Sequence, residues 1–392
     1  MNISQISDTC TGCGSCAAVC PSDAIQMLSD EHGFLYPSVD AAACTECGLC
    51  ARKCPISTPP QVSAHTKLLT GYANDENLLA ASSSGAIFPV LASEIIHRGG
   101  IVFGAAFNQN FDVVHTAAEN LAELAALCSS KYVQSRIPGG LYAQVKAELT
   151  AGHWVYFSGM PCQVAGLKNY IGQEYETLIT QDTACHSVPS PMAWKNYRSE
   201  LEAENSGKLT AFSFRKKATG WENYHIHAAF ENGKAFSQPA AENPYQRGFI
   251  KGLYSRNSCF VCKFKGIERC SDITLADYWG VKGIQPEAYH PQGTSLILLH
   301  SEKGHALLES CKNRLQTCPA AEGALTWNSA MLCPIQKPAR YDEFWAEYGQ
   351  KSFAELVSSC CEPTKKEAAK ERWNKSLLGR TIYRLICRVR KS

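Results

Sequence analysis

From about residue 64 to residue 300 the apolar positions alternate between a helical rhythm and a strand rhythm. Ser84 stands where an N-cap would open a helix over Ala86 to Arg98, Gly99-Gly100 would end it, and Ile101 to Phe107 reads as a buried strand. Leu121 to Cys128 and Leu141 to Thr150 have helical spacing. Trp154 to Phe157 predicts a short strand, then the turn Gly159-Met160-Pro161-Cys162, then a helix ending near Gly172. Thr177 to Thr180 predicts a strand leading to Cys185-His186, and Ala193 to Ala203 a helix. Leu209 to Arg215, His225 to Phe230, Ala235 to Ser237 and Ser295 to His300 predict strands, with Glu231-Asn232-Gly233 as a hairpin turn. The pattern predicts a mixed α/β (α+β) body.

The two ends differ from this body. Ser57-Thr58-Pro59-Pro60 reads as a linker after the first unit. At the other end Leu378, Ile382, Leu385, Ile386 and Val389 share one helical face and Arg380, Arg384 and Arg388 another, which predicts a basic amphipathic helix. The expected division is 1–62, 63–345 and a helical tail over 346–392.

Length agrees with two to three domains in 392 residues. Apolar content of 45% and charged content of 19% are those of a globular chain. A net charge of +2 gives no reason to expect a nucleic-acid partner. The charge is uneven: residues 1–62 carry six acids against Arg52 and Lys53, and residues 362–392 carry ten Lys and Arg against three Glu. Met1 to Asp8 offers neither the basic nor the apolar segment of a secretory leader. The most apolar stretch, 85–107, is interrupted by Glu94, His97 and Arg98, so no transmembrane helix is expected. These features predict a cytoplasmic protein, with the basic tail either as a peripheral contact for the inner face of a membrane or as a solvated or partner-binding helix.

The 20 cysteines change the picture. In a chain of this kind, thiolates serve as metal ligands more often than as disulfides. Cys10, Cys13, Cys16, Cys20 and Pro21 recur as Cys44, Cys47, Cys50, Cys54 and Pro55, always 34 residues later. CxxCxxCxxxCP, present twice, is the spacing of a two-cluster bacterial ferredoxin, in which the fourth cysteine of each run reaches the other cluster. Cys10, Cys13, Cys16 and Cys54 are therefore assigned to one 4Fe-4S cluster, and Cys44, Cys47, Cys50 and Cys20 to the other. Structural zinc sites use separated CxxC pairs, which this triplet is not. Leu28 to Pro37 fits a hairpin between the halves.

Among the other cysteines four stand out. Cys162 and Cys185 each follow a strand, and Cys259 and Cys262 form a CxxC preceded by Arg256. Such thiols could converge on a third metal site; the alternative is buried or redox-active thiols.

Six strings, in order, resemble the coenzyme F420 hydrogenase/dehydrogenase beta-subunit family. They are Ser82-Ser83-Ser84-Gly85, Ser130-Lys131-Tyr132-Val133-Gln134-Ser135, Gly159-Met160-Pro161-Cys162-Gln163, Cys185-His186-Ser187-Val188-Pro189-Ser190-Pro191, Phe214-Arg215-Lys216-Lys217 with Gly220-Trp221, and Asp272-Ile273-Thr274-Leu275-Ala276-Asp277-Tyr278-Trp279-Gly280. The resemblance spans roughly 64–345 and implies an FAD-binding α/β domain with its own 4Fe-4S cluster. It points to Cys162, Cys185, Cys259 and Cys262 as ligands, with Cys270 in reserve. The chain departs from the family pattern at Ala86, where a second glycine is usual, and at Met160 and Ser187, where threonine and glycine are.

A flavin site needs amides for a pyrophosphate and a polar edge for the ring. Ser83, Ser84 and Gly85 would open a helix toward phosphate, against the plainer reading of an N-cap. Ser130, Lys131 and Tyr132 could reach phosphate or flank the ring, and Gln163 and Lys168 could serve cluster or flavin. His186 is a candidate proton donor or a neighbour of the cluster. Arg215 and Trp221 could support ligand binding, with core packing as the alternative for Trp221. Asp277 and Trp279 could shape a turn.

Together these features predict an iron–sulfur flavoprotein oxidoreductase. It would couple hydride chemistry at FAD to single-electron transfer, with F420 or another small hydride carrier and a redox partner such as a ferredoxin or an oxidoreductase subunit. The alternatives are a reductase in polysaccharide or cell-surface glycan biosynthesis, a non-catalytic electron-transfer subunit of a larger complex, and a sensor or scaffold without flavin.

Overall fold

The computed structural model describes residues 3–6 and 8–362. The repeat folds as two matching loops. Each cysteine triplet ends in a one-turn helix, Ser15–Ala18 and Leu49–Arg52, entered through a left-handed glycine, Gly14 and Gly48. Between them β1 (Ile25–Ser29) and β2 (Leu35–Val39) form an antiparallel hairpin. Its turn is closed by the Asp30 carboxylate, which accepts from the amides of His32 and Phe34 at 3.0 and 2.7 Å.

The body is built on eight strands: β3 (Lys67–Ala73), β4 (Ile101–Phe107), β5 (Val113–Ala118), β6 (Val155–Ser158), β7 (Leu178–Thr183), β11 (Ile273–Asp277), β12 (Ser295–Leu299) and β13 (Leu315–Pro319). Their order is β13-β3-β12-β11-β7-β6-β4-β5. The four central strands β11, β7, β6 and β4 run parallel, and the outer ones pair antiparallel. Alternation along these strands sorts the core. Val102, Tyr156, Ile179, Ile273 and Ile297 face a layer headed by the helix Ile87–His97. Ile101, Phe103, Val155, Phe157 and Leu178 face the helices Leu141–Thr150 and Pro161–Ile171. Helices thus cover both faces, which is why the parallel strands read as continuous apolar runs.

A second sheet, β10-β9-β8, is formed by β8 (Leu209–Lys216), β9 (His225–Phe230) and β10 (Ala235–Pro239). With the helix Pro191–Asn205 it encloses an aromatic core around Trp194, Phe214 and Tyr245. The helix Phe353–Cys361 packs into this same core through buried Phe353, Leu356 and Val357. The expected tail boundary at 346 is therefore too early: these residues belong to the body. The predicted amphipathic helix over Leu378 to Val389 lies outside the described residues.

The predicted elements recur within a few residues. β3, β5, β11 and β13 were not predicted. The edge strand β13 buries only Leu315, so its sequence lacks the alternation that marks a half-buried strand. Ser84 is not the cap of the first long helix. That position is Ala86, in the left-handed region at φ 58°, and the Ser84 hydroxyl donates instead to the Thr294 carbonyl at 3.1 Å.

The repeat is clasped by the body. The buried Arg256 guanidinium donates to the carbonyls of Cys10 (2.7 Å) and Leu35 (2.9 Å) and lies 4.0 Å from the centre of the Tyr36 ring. Ser190 donates to the His32 carbonyl, and His32 stacks on Trp345 at 4.0 Å. The expected linker is also tied down, since the Thr58 carbonyl accepts from the Asn169 amide at 2.7 Å.

Candidate functional site

A cavity of about 430 Å³ opens at the carboxyl ends of β6, β7 and β11. Parallel strands end there in loops whose residues are free to serve a ligand. Ser83, Ser84, Ser130, Lys131, Tyr132 and Gln163 line it, together with Cys162, Cys185 and His186. Four of the six resembling strings thus put these loop residues around one space, the fifth adds Arg215, and the sixth adds Asp277 and Trp279.

The polar loops are held by each other. Ser83 Oγ accepts from the Ser130 amide at 2.7 Å and from its hydroxyl at 3.0 Å. Lys131 donates to the carbonyls of Cys128 (2.8 Å) and Ser129 (3.3 Å), and burial lowers its pKa to about 8. Gln163 accepts from the Met160 amide at 2.9 Å and donates to the Ser135 carbonyl at 3.1 Å, which fixes the turn before Cys162. Gly85 does not line the cavity. Its amide donates to Ser295 Oγ at 3.0 Å, and a Cβ there would stand 2.5 Å from the Gly71 carbonyl oxygen, so the position requires glycine for close packing. Lys168 is turned to Glu174 at 3.4 Å.

Arg215 forms the floor. It makes a two-pronged bond to Asp277 at 2.9 and 3.3 Å and also donates to Tyr132 Oη (3.2 Å) and the Ser83 carbonyl (2.9 Å). Burial works against its charge, and the Asp277 carboxylate together with Tyr132 and Tyr224 outweighs it. Trp221 donates to Asp277 at 3.2 Å and stacks on Trp279 at 5.0 Å. Lys217, whose role no sequence signal showed, donates to the carbonyls of Leu79 (2.6 Å), Ser84 (2.9 Å) and Gln292, while burial and the nearby Arg215 lower its pKa to about 7.

The cysteines gather in sets. Cys10, Cys13, Cys16 and Cys54 surround a small apolar void of about 20 Å³ with Ile3, Ile6 and Met27. Cys162 stands within electrostatic reach of Cys185, Cys262 and Cys259, in the first turn of the helix Pro161–Ile171. Burial raises the Cys13 and Cys259 thiols to about 12 and Cys185 to about 11, with repulsion from neighbouring cysteines adding to it. Several such thiols cannot ionise together unaided. A cationic iron–sulfur core would supply the missing compensation, so both donor sets fit such a group. The Cys270 thiol, raised to about 12 by burial, lies among Asp182, Lys168 and Arg269. Among the described residues no group has the compact geometry of a single metal-ion site, and that holds for the repeat as much as for the body.

His186 reaches the cavity edge-on to Phe249 at 5.1 Å. Its Nε2 is buried without a hydrogen-bond partner among the described residues, and burial, with Lys265 close by, lowers its pKa to about 4. An orphaned buried polar atom on a residue that lines a large cavity suits a site built for a ligand. A second histidine, His115, was missed because a lone histidine on an unpredicted strand carries no signal. Its Nε2 donates to the Ser158 carbonyl at 3.1 Å, which leaves Nδ1 to accept from Ser135 Oγ at 2.5 Å.

Comparison with known proteins agrees with this arrangement. Residues 152–322 match the family described as the C terminus of the coenzyme F420 hydrogenase/dehydrogenase beta subunit. Residues 9–58 match the 4Fe-4S dicluster domain. No curated protein matches the chain. Among solved structures, a chain of the F420-reducing [NiFe] hydrogenase complex from Methanosarcina barkeri aligns with 14% identity over 75% of this chain and 90% of that chain, at a TM-score of 0.43. A likeness so slight carries no argument by itself.

Proposed function

We propose, for a chain whose residues 152–322 belong to the coenzyme F420 hydrogenase/dehydrogenase beta-subunit family and whose residues 9–58 form a 4Fe-4S dicluster domain, that it is a flavin-dependent oxidoreductase. It exchanges a hydride with a small carrier in the cavity and single electrons with a partner protein. The observation that carries this reading is the shared cavity of about 430 Å³, lined by Ser83, Ser130, Lys131 and Tyr132 and also by Cys162 and Cys185. Its volume lies within the roughly 300–1,000 Å³ of cofactor pockets. FAD is the group it would hold; a bound flavin supplies the exchange between two-electron hydride steps and one-electron steps.

The chain's own residues have separate tasks. Lys131, with a pKa of about 8, stays mostly charged at neutral pH and would face a phosphate without a large desolvation cost. Arg215, locked to Asp277, orients the Tyr132 hydroxyl. His186 is neutral at pH 7, so it works through a hydrogen bond at Nε2 rather than as a charged acid. Cys10, Cys13, Cys16 and Cys54, then Cys20, Cys44, Cys47 and Cys50, would each hold one 4Fe-4S cluster, and Cys162, Cys185, Cys259 and Cys262 a third. Coenzyme F420 or another hydride carrier is the small substrate, and a ferredoxin or an oxidoreductase subunit the protein partner.

Purified under nitrogen, the protein should contain about twelve irons and one FAD; four or fewer irons without flavin would overturn the reading. Oxidation of reduced F420 or NAD(P)H by the isolated chain separates an enzyme from a non-catalytic electron-transfer subunit. The glycan-biosynthesis reading comes from the family resemblance; the basic tail beyond residue 362 fits it, and nothing in the cavity adds to it. Among the described residues no helix is long and apolar enough to cross a membrane.

A further inference from the structure

We infer that the body and the repeat exchange electrons at one junction, Cys162 against Cys13. Tyr142 and Gly166 are its positioning residues, and the two halves of the repeat have opposite roles. The set Cys10, Cys13, Cys16 and Cys54 faces inward, and the set Cys20, Cys44, Cys47 and Cys50 is the port for the partner protein. This rests on the reading that Cys162, Cys185, Cys259 and Cys262 hold a cluster.

Three contacts support the junction. Gly166 lies one helical turn beyond Cys162 on the same face of the helix Pro161–Ile171, and a Cβ there would stand 2.9 Å from Cys13 Sγ. A hydrogen at this position lets the helix and the cysteine loop close to contact. The buried Tyr142 hydroxyl lies 2.9 Å from the Cys13 carbonyl and 3.3 Å from that of Gln163, the residue after Cys162, so it ties the two ligand segments together. Arg256 makes a second tie, since its guanidinium holds the Cys10 carbonyl at 2.7 Å while its own carbonyl accepts from the Cys259 amide at 2.9 Å.

The second half of the repeat is turned the other way. The Cys44 amide bonds to Asp40 and the Cys47 carbonyl accepts from Arg52, both within the repeat. Cys47 is exposed, and so are Thr45 and Glu46 beside it. An exposed ligand loop next to a cluster is where an external one-electron carrier would come closest.

The test uses the whole protein reduced with dithionite under nitrogen. In the wild type, low-temperature EPR should show magnetic coupling between the body cluster and a repeat cluster. Gly166→Val should keep the iron and flavin content and lose that coupling, because the added side chain pushes the Cys13 loop off the helix. A displaced reacting pair loses about 10- to 100-fold in rate, and reduction of the repeat clusters from the flavin side should slow by that much. Tyr142→Phe, which keeps the ring and removes only the bridging hydroxyl, should weaken the coupling without loss of iron; it decides the matter if the valine variant fails to fold. Coupling and rates unchanged in an iron-replete Tyr142→Phe would overturn the junction while leaving the three-cluster reading intact. A wild type with only about eight irons would overturn both.

Discussion

The two halves of the repeat carry the same cysteines at the same spacing, yet they sit in opposite surroundings. Cys10, Cys13 and Cys16 are buried against the body, and burial raises all three thiols. Cys47 is exposed, and its thiol is lowered, first by the Leu49 amide. Spacing decides what a cysteine run can bind. Burial and neighbouring dipoles decide how exposed the bound group is and which way it looks. A 34-residue repeat with one cysteine loop clasped and the matching loop exposed at Cys47 therefore has a direction that its sequence does not display.

That contrast can be broken in several ways. The largest effect should come from removing the clasped side's neighbour. Cys185→Ala should lower bound iron from about twelve to about eight per chain, whereas Cys270→Ala should leave it unchanged, as counted by iron analysis after anaerobic purification. Loss of iron in Cys270→Ala alone would mean that the four gathered cysteines are not the set.

Next is the ion pair under the cavity. Asp277→Ala strands the buried Arg215 guanidinium, and losing one partner of such a pair costs about 3–5 kcal/mol. Denaturant unfolding measures it, and a loss under 1 kcal/mol would show that water reaches Arg215.

A pH effect of similar size belongs to His115. Its folded pKa of about 4 lies below the ordinary value of 6.5, so below pH 6.5 the unfolded chain takes up a proton that the folded chain refuses. Stability from this group is complete above pH 6.5 and falls by about 1.4 kcal/mol per unit as the pH drops toward 4. His115→Gln should flatten that part of the curve, and an unchanged slope would place the titration elsewhere.

The smallest effect concerns Ala86, held at φ 58° in the left-handed region that favours glycine. Ala86→Gly should raise stability by about 1 kcal/mol, since a left-handed conformation costs an alanine that much. A loss would show that the methyl group's packing outweighs the strain.

Much of the architecture could be read in advance because it is local. Ile101–Phe107 and His225–Phe230 are strands at their predicted bounds, and Leu141–Thr150 is a helix at its own, because apolar period and turn residues act within a few positions. The unpredicted β11 is legible only once β7 and β12 flank it. Ser84 shows the limit of local reading at the site. It has the chemistry of a cap, but Thr294 and Ser295, more than two hundred residues away, claim its hydroxyl.

By itself, then, the sequence determined the repeat, its iron–sulfur spacing and the order of helices and strands, because each depends on neighbours in the chain. Tertiary structure decided the rest. It brought Cys162, Cys185, Cys259 and Cys262 together from three separate stretches of the chain. It also pressed the Cys13 loop of the repeat against Tyr142 and Gly166 while leaving Cys47 in the matching loop exposed. Such contacts depend on how helices pack across a sheet, and cysteine spacing carries no record of them.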